Sequence, residues 1–133
     1  MKLLRYIIIV LILLFTQAVK SQETDDYSEI DSFVDSLQID KDETFEELAK
    51  NIVKSEWKEI EKARAIFYWI AKNIQYDYKG LETDYWKFYP SDYSIAFGTY
   101  IQRKGVCGGY SYLFKFMCNE IGIESVVIDG YTN

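Results

Sequence analysis

Histidine is absent from all 133 residues. The side chain that most often serves as general acid or base is therefore missing from the printed chain. Two cysteines without histidine cannot complete a zinc tetrahedron, so no metal site is expected. No phosphate-cradling glycine loop or nucleotide motif is present, and no cofactor is expected. Positive charge is also scarce. Fifteen Lys and Arg face twenty-one Asp and Glu, for a formal charge of −6. That balance excludes the basic footprint of a nucleic-acid binder. Long hydrophobic runs are missing too. The longest apolar stretch, Tyr6 to Phe15, has ten residues, against the ~20 a membrane span needs. No stable membrane span is expected, and nothing in the sequence specifies an oligomeric state.

That short apolar stretch has another use. Lys2 and Arg5 precede it, and Val19-Lys20-Ser21 leaves small side chains where a signal peptidase reads, with Thr16-Gln17-Ala18 as a second possible site. Residues 1–21 read as a secretory signal peptide and imply export to a periplasmic, cell-surface or extracellular place. Their removal would take the formal charge from −6 to −9, which disfavours nonspecific contact with anionic surfaces.

Apolar residues make up 49% of the chain, with twelve Tyr, eight Phe and three Trp. That is enough for one domain with a core. Its organising stretch is Arg103-Lys104-Gly105-Val106-Cys107 through Gly122. Cys107, Tyr110, Ser111, Phe114, Met117, Cys118 and Ile121 recur at helical spacing. Leu113 and Phe116 make a second face apolar, which predicts a central buried helix. Gly122 followed by Ile123 reads as a glycine stop with its hydrophobic contact. Cys107 would sit in the first turn, where partial positive charge and unpaired N–H donors stabilise a thiolate. Gly108 and Gly109 would leave those donors open to a ligand, and Arg103 and Lys104 would add positive charge. A buried cysteine acting as a small hydrophobe is the plainer reading.

Export favours disulfides, yet Cys107 and Cys118 lie eleven residues apart on one predicted helix. Their Cα atoms would be roughly 16 Å apart, whereas a disulfide needs less than about 7 Å. Cys107 is expected to be a free thiol and Cys118 a core residue.

Ahead of this helix, residues 22–42 form an acidic leader in which Tyr27, Ile30, Phe33, Val34 and Leu37 allow a short docking helix. Thr44-Phe-Glu-Glu47 is a capping-box pattern, opening a helix through Phe45, Leu48, Ala49, Ile52 and Val53 to about Lys54. Ser55 can cap the next helix, whose stripe is Ile60, Ala63, Phe67, Ile70, Ala71 and Ile74. In residues 81–104, crowded with aromatics and holding the single proline, Ser91 can cap a short helix to about Tyr100. The aromatics there are either packing over the Cys107 helix or a wall that contacts substrate. Val126-Val127-Ile128 predicts a buried strand.

The run from Arg103 to Phe114, then Met117-Cys118, Glu120-Ile-Gly-Ile123 and Val127-Ile-Asp-Gly-Tyr131, resembles the nucleophile segment of the transglutaminase-like superfamily. Lys62 to Asp77 resembles the helix that precedes it there. The resemblance covers about residues 44–131 and implies an α+β, papain-like core filling residues 43–133. It implies a nucleophilic Cys107 acting on a protein or peptide substrate, by hydrolysis or by amine transfer through a thioester. Gln102 is an oxyanion-donor candidate by analogy with papain-like enzymes. The resemblance also implies that the strand at Val126 opens an antiparallel sheet, with the catalytic His and then Asp on the following strands. The expectation is therefore a fragment that holds the nucleophile, lacks the base and is inert as printed. The alternative is a non-catalytic binding or assembly module on the same fold.

Overall fold

Leu113, Met117 and Cys118 of the Arg103–Gly122 stretch are wholly buried, and the other helices gather around them. The structure is a computed structural model that describes residues 26–40, 42–83 and 85–130. The expected signal peptide lies outside the described residues. In chain order the elements are α1 (Ser28–Ser36), α2 (Phe45–Asn51), α3 (Glu59–Asn73), β1 (Gln75–Tyr76), α4 (Tyr78–Thr83), a 3₁₀ turn (Tyr85–Phe88), α5 (Asp92–Gln102), β2 (Lys104–Gly105) and α6 (Cys107–Glu120). Helix α6 packs against α5 most extensively, and also against α2 and α3. Phe45, Leu48 and Ile52 of the α2 region, Ile66, Trp69 and Ile70 of α3, and Ala96 and Tyr100 of α5 complete the core.

Local chemistry sets the helix ends. Thr44 Oγ1 accepts the Glu47 N–H at 3.2 Å, and Glu47 Oε2 accepts the Thr44 N–H at 3.0 Å, a reciprocal capping box that starts α2. Ser91 and Ser94 make the same exchange at the start of α5, at 2.9 and 3.2 Å. At the other end of α6, the Ile123 N–H reaches the Cys118 carbonyl at 2.9 Å and the Gly122 N–H reaches the Asn119 carbonyl at 3.1 Å. With Gly122 at φ 81°, this is a Schellman stop, in which only glycine takes the left-handed position without strain.

The docking helix in residues 22–42 is present as α1, and it enters the core through Ile30 and Val34. Arg64 of α3 grips Asp31 with two bonds of 2.9 and 2.6 Å. Asp35 takes Lys72 at 2.5 Å and the Tyr68 hydroxyl at 3.0 Å. The packed unit therefore begins ahead of residue 43.

Four expectations are corrected. Helix α3 starts at Glu59 with Lys58 as its N-cap, where the Lys58 N–H meets Glu61 Oε2 at 2.6 Å; Ser55 instead bonds Glu56. The buried stripe of α3 is Ala65, Ile66, Trp69 and Ile70, whereas Ile60 and Phe67 are 60% and 53% exposed. Both faces of α3 carry apolar residues, and the face with the indole wins the core because it buries more area. On α6 the deep face runs through Gly109, Leu113, Met117 and Cys118, leaving Cys107 and Ser111 exposed and Phe114 half-buried. Residues 123–130 form no strand, and Val126 and Ile128 are 74% and 88% exposed. No second strand lies beside them among the described residues, so a ladder cannot form there. The strands that are present, β1 and β2, pair in parallel, Gln75 with Lys104 and Tyr76 with Gly105.

Candidate functional site

The site is built at the join between α5 and α6. Helix α5 ends at Arg103, which adopts the left-handed conformation at φ 52° and ψ 33°. Its guanidinium lies over the rings of Tyr100 at 4.1 Å and Trp69 at 4.8 Å, and such stacking offsets the backbone cost. The next two residues form β2. The Gln75 N–H bonds the Arg103 carbonyl and the Asp77 N–H bonds the Gly105 carbonyl, both at 2.9 Å. This parallel pair aims the chain into α6, whose first residue is Cys107.

Cys107 is exposed and its thiol is free, as is that of Cys118. The preceding Val106 is extended and buried and offers no side-chain cap. The first-turn N–H groups of α6 therefore have no cap acceptor, and an anion can use them. Ser111 Oγ donates to the Cys107 carbonyl at 3.0 Å. The Tyr110 hydroxyl donates to the Ile74 carbonyl at 2.6 Å, tying the first turns of α6 to the end of α3. Burial pushes the Tyr110 phenol up from its ordinary value. Cys118 has the opposite setting. It is wholly buried, and burial alone pushes its thiol up from 9.0 to about 11. It is a core residue.

The two glycines after Cys107 differ in their surroundings. A Cβ at Gly108 would meet only Tyr112, at 3.8 Å. A Cβ at Gly109 would overlap Thr99 Oγ1 and lie 3.3 and 3.4 Å from Thr99 Cγ2 and Cβ. Gly109 is buried, and it lets α6 approach α5 closely. The two cations expected beside Cys107 are also engaged elsewhere. Arg103 stacks on Tyr100 and Trp69, and Lys104 Nζ pairs with Asp77 Oδ1 at 2.7 Å. Gln102 is exposed at the end of α5, and its Nε2 donates to the Tyr89 hydroxyl at 3.0 Å.

Asp77 is the functional candidate the sequence reading passed over. It is 5% exposed. Lys104, foremost, and the Gly80 N–H hold its carboxyl below the usual range. An aspartate that follows an apolar helix and precedes a glycine by three residues is a local turn pattern, and that was the available signal. Its partner Lys104 is remote in sequence and left none.

From Tyr110 onward, α6 and α3 flank an open groove of about 360 Å³. Phe67, Ile70, Ala71, Tyr110, Phe114 and Val126–Ile128 line it, and Ser111, Lys115 and Ser125 edge it. Ser125 holds the covering segment in place, its Oγ on the Lys115 carbonyl at 3.1 Å and its N–H on Asn119 Oδ1 at 3.0 Å. The aromatics of residues 85–100 differ in burial. Tyr100 is buried against Phe45 and Trp69, whereas Phe88, Tyr93 and Phe97 are exposed. Among the described residues no cluster of acidic or cysteine side chains is arranged to hold a metal, and no helix is long and apolar enough to cross a membrane.

Comparison with known proteins bears on this arrangement. The family model of the transglutaminase-like superfamily matches residues 46–133. Kyphoscoliosis peptidase of Mus musculus is 32% identical over 87 residues, and that of Homo sapiens 31% identical over 88. Each alignment covers 65% of this chain and 12% of the relative, so the chain matches only a small part of these longer proteins. No solved structure matches. With Cys107 opening the central helix inside a family match that spans well over half of its length, the chain belongs to the transglutaminase-like superfamily.

Proposed function

We propose that this is a domain of an exported cysteine acyl-transfer enzyme in which Cys107 is the nucleophile. One observation carries the reading: an exposed, free thiol at the first residue of a helix whose N-terminus has no side-chain cap. The sulfur attacks an amide carbonyl, and the carbonyl oxygen takes up negative charge that the first-turn N–H groups can accept. Collapse of that intermediate breaks the C–N bond, the leaving amine takes a proton, and a thioester remains on Cys107. Water then gives an acid, or a second amine gives a new amide, and the thiol is regenerated. Gln102 is the side-chain oxyanion candidate, and that role requires it to leave Tyr89. A base must come from outside these 133 residues, since none is histidine. A carboxylate is a poor substitute because its reference pKa near 4 lies far below the thiol's ~8.5.

The substrate class we favour is a protein or peptide amide. The relatives' name, a peptidase, agrees with it. A second reading is a binding or assembly module with no turnover, which the absence of histidine from these residues favours only if the natural chain adds none beyond them. The experiment is to read the gene past Asn133 and express its whole product. The acyl-transfer reading expects a strand bearing His, a further strand bearing Asp or Asn, and amidase or transamidase activity that Cys107→Ala abolishes. It also expects a hydroxylamine-labile acyl adduct on Cys107, seen by mass spectrometry. Activity that survives Cys107→Ala overturns it. A stop codon after Asn133, with a cooperatively melting monomer, favours the binding module.

A further inference from the structure

Asp77 lies outside the helix that carries the candidate nucleophile, yet it holds the approach to that helix by both main chain and side chain. Its N–H bonds the Gly105 carbonyl at 2.9 Å. Its carboxylate pairs with Lys104 Nζ at 2.7 Å. Lys104 and Gly105 are the whole of β2, and Cys107 begins α6 two residues later. The carboxylate is itself fixed from behind. The Gly80 N–H donates to Oδ1 at 3.0 Å. Gly80 leaves no slack, since a Cβ there would overlap the Tyr85 ring and lie 2.5 Å from Asp77 Oδ2. The carboxylate is buried, whereas the Lys104 side chain is 41% exposed. The anchor is therefore Asp77, and Lys104 closes over it.

We infer that Asp77 is a positioning residue for Cys107, with Lys104 as the clasp that fixes the direction in which α6 starts. The inference rests on the reading of Cys107 as a nucleophile. A first turn held at one angle keeps its free N–H donors aimed at one place, where an oxyanion formed beside the sulfur would lie; a frayed turn spreads them. The pair also spends the Lys104 charge on Asp77, so the environment of the thiol depends on where the backbone points rather than on a loose cation.

The test is the rate of iodoacetamide alkylation of Cys107 against pH in the full chain, with Cys118 as internal reporter of opening. Asp77→Asn/Lys104→Gln removes both charges together, so the local net charge does not change and an effect on the thiol reports geometry. The expected result is a Cys107 rate about two- to five-fold lower at pH 7, the scale of a helix-terminus interaction. Cys118 stays unlabelled in the same experiment. Lys104→Arg, which keeps the ion pair, should restore the native profile. If the double variant does not fold, Asp77→Asn alone is read: losing a nearby negative charge favours a thiolate through space, so a slowing again reports geometry. An unchanged Cys107 rate in a folded variant overturns the inference. So does a parallel rise in labelling of both cysteines, which would make the clasp a matter of global stability alone. Alkylation needs no turnover, so its result is independent of whether Cys107→Ala abolishes activity.

Discussion

Replacing Gly109 by Ala should destabilise the fold, against the usual direction of that exchange in a helix. Ala is favoured over Gly in a helix interior by about 1 kcal/mol. Here the added methyl would overlap Thr99 Oγ1 and press on Thr99 Cγ2 at 3.3 Å. Thr99 is buried and β-branched, so it cannot swing aside without leaving its rotamer. Overpacking of this kind costs about 1–3 kcal/mol, and the closest contact falls far inside van der Waals range, so the upper half of that interval applies. The net expectation is a loss of roughly 1–2 kcal/mol, or a Tm lower by roughly 5–10 °C for a domain of this size. The sign should reverse when the obstacle is gone. In a Thr99→Ala background the same Gly109→Ala change should stabilise by up to about 1 kcal/mol. Urea unfolding followed by far-UV circular dichroism on the four members of the cycle gives the coupling directly. A stabilising Gly109→Ala in the native background would refute the close approach of α5 and α6 at this point.

Further outcomes are expected for Cys107, Cys118 and Gly122. Native protein at neutral pH should take up iodoacetamide on exposed Cys107 and leave Cys118 unlabelled until denaturant is added, and Cys118→Ala should cost about 1–2 kcal/mol through the small cavity it leaves. Because burial raises the Cys118 thiol from 9.0 to about 11, its contribution is whole below pH 9 and is lost as pH rises toward 11, where the unfolded thiol ionises first; the fall in urea midpoint over that window should be shallower in Cys118→Ala, and equal slopes would show the thiol is not desolvated. Gly122→Ala should cost about 1–2 kcal/mol from backbone strain alone, since φ is 81° and an added Cβ would meet nothing within 4 Å; a neutral result by the same urea assay would mean the Schellman stop is not formed in solution.

Local signals were the legible ones. The Thr44 and Ser91 caps and the Gly122 stop each depend on residues within four or five positions, and each is where the sequence places it. Cys107 at the head of α6 follows from the same kind of reasoning. Choices between two apolar faces were not legible. Ala63, Phe67 and Ala71 keep helical time as well as Ile66, Trp69 and Ile70 do, and only the neighbours decide which set is buried. Val126–Ile128 has the composition of a strand, but a strand is a property of a pair, and the described residues supply no partner for it. The Asp77–Lys104 pair and the Gly109–Thr99 contact join residues far apart or on facing helices, so no spacing rule marks them. The engagement of Arg103 with Tyr100 and Trp69 is of the same kind.

The parallel pairing of Gln75 with Lys104 and Tyr76 with Gly105 has a consequence for the order in which the molecule forms. Helices α3 and α5 can nucleate from their own sequences, and α5 carries its own cap. The two-residue ladder cannot. It must close a loop of about 30 residues, at a chain-entropy cost of roughly 3 kcal/mol before any contact compensates. The alignment that aims Cys107 is thus a non-local event that follows helix formation, and a partial opening that releases it need not melt α3 or α6. Amide exchange at Gln75 and Asp77, whose N–H groups bond across this ladder, would report the reactive end of α6 coming undone while Leu113 and Met117 remain protected in its middle.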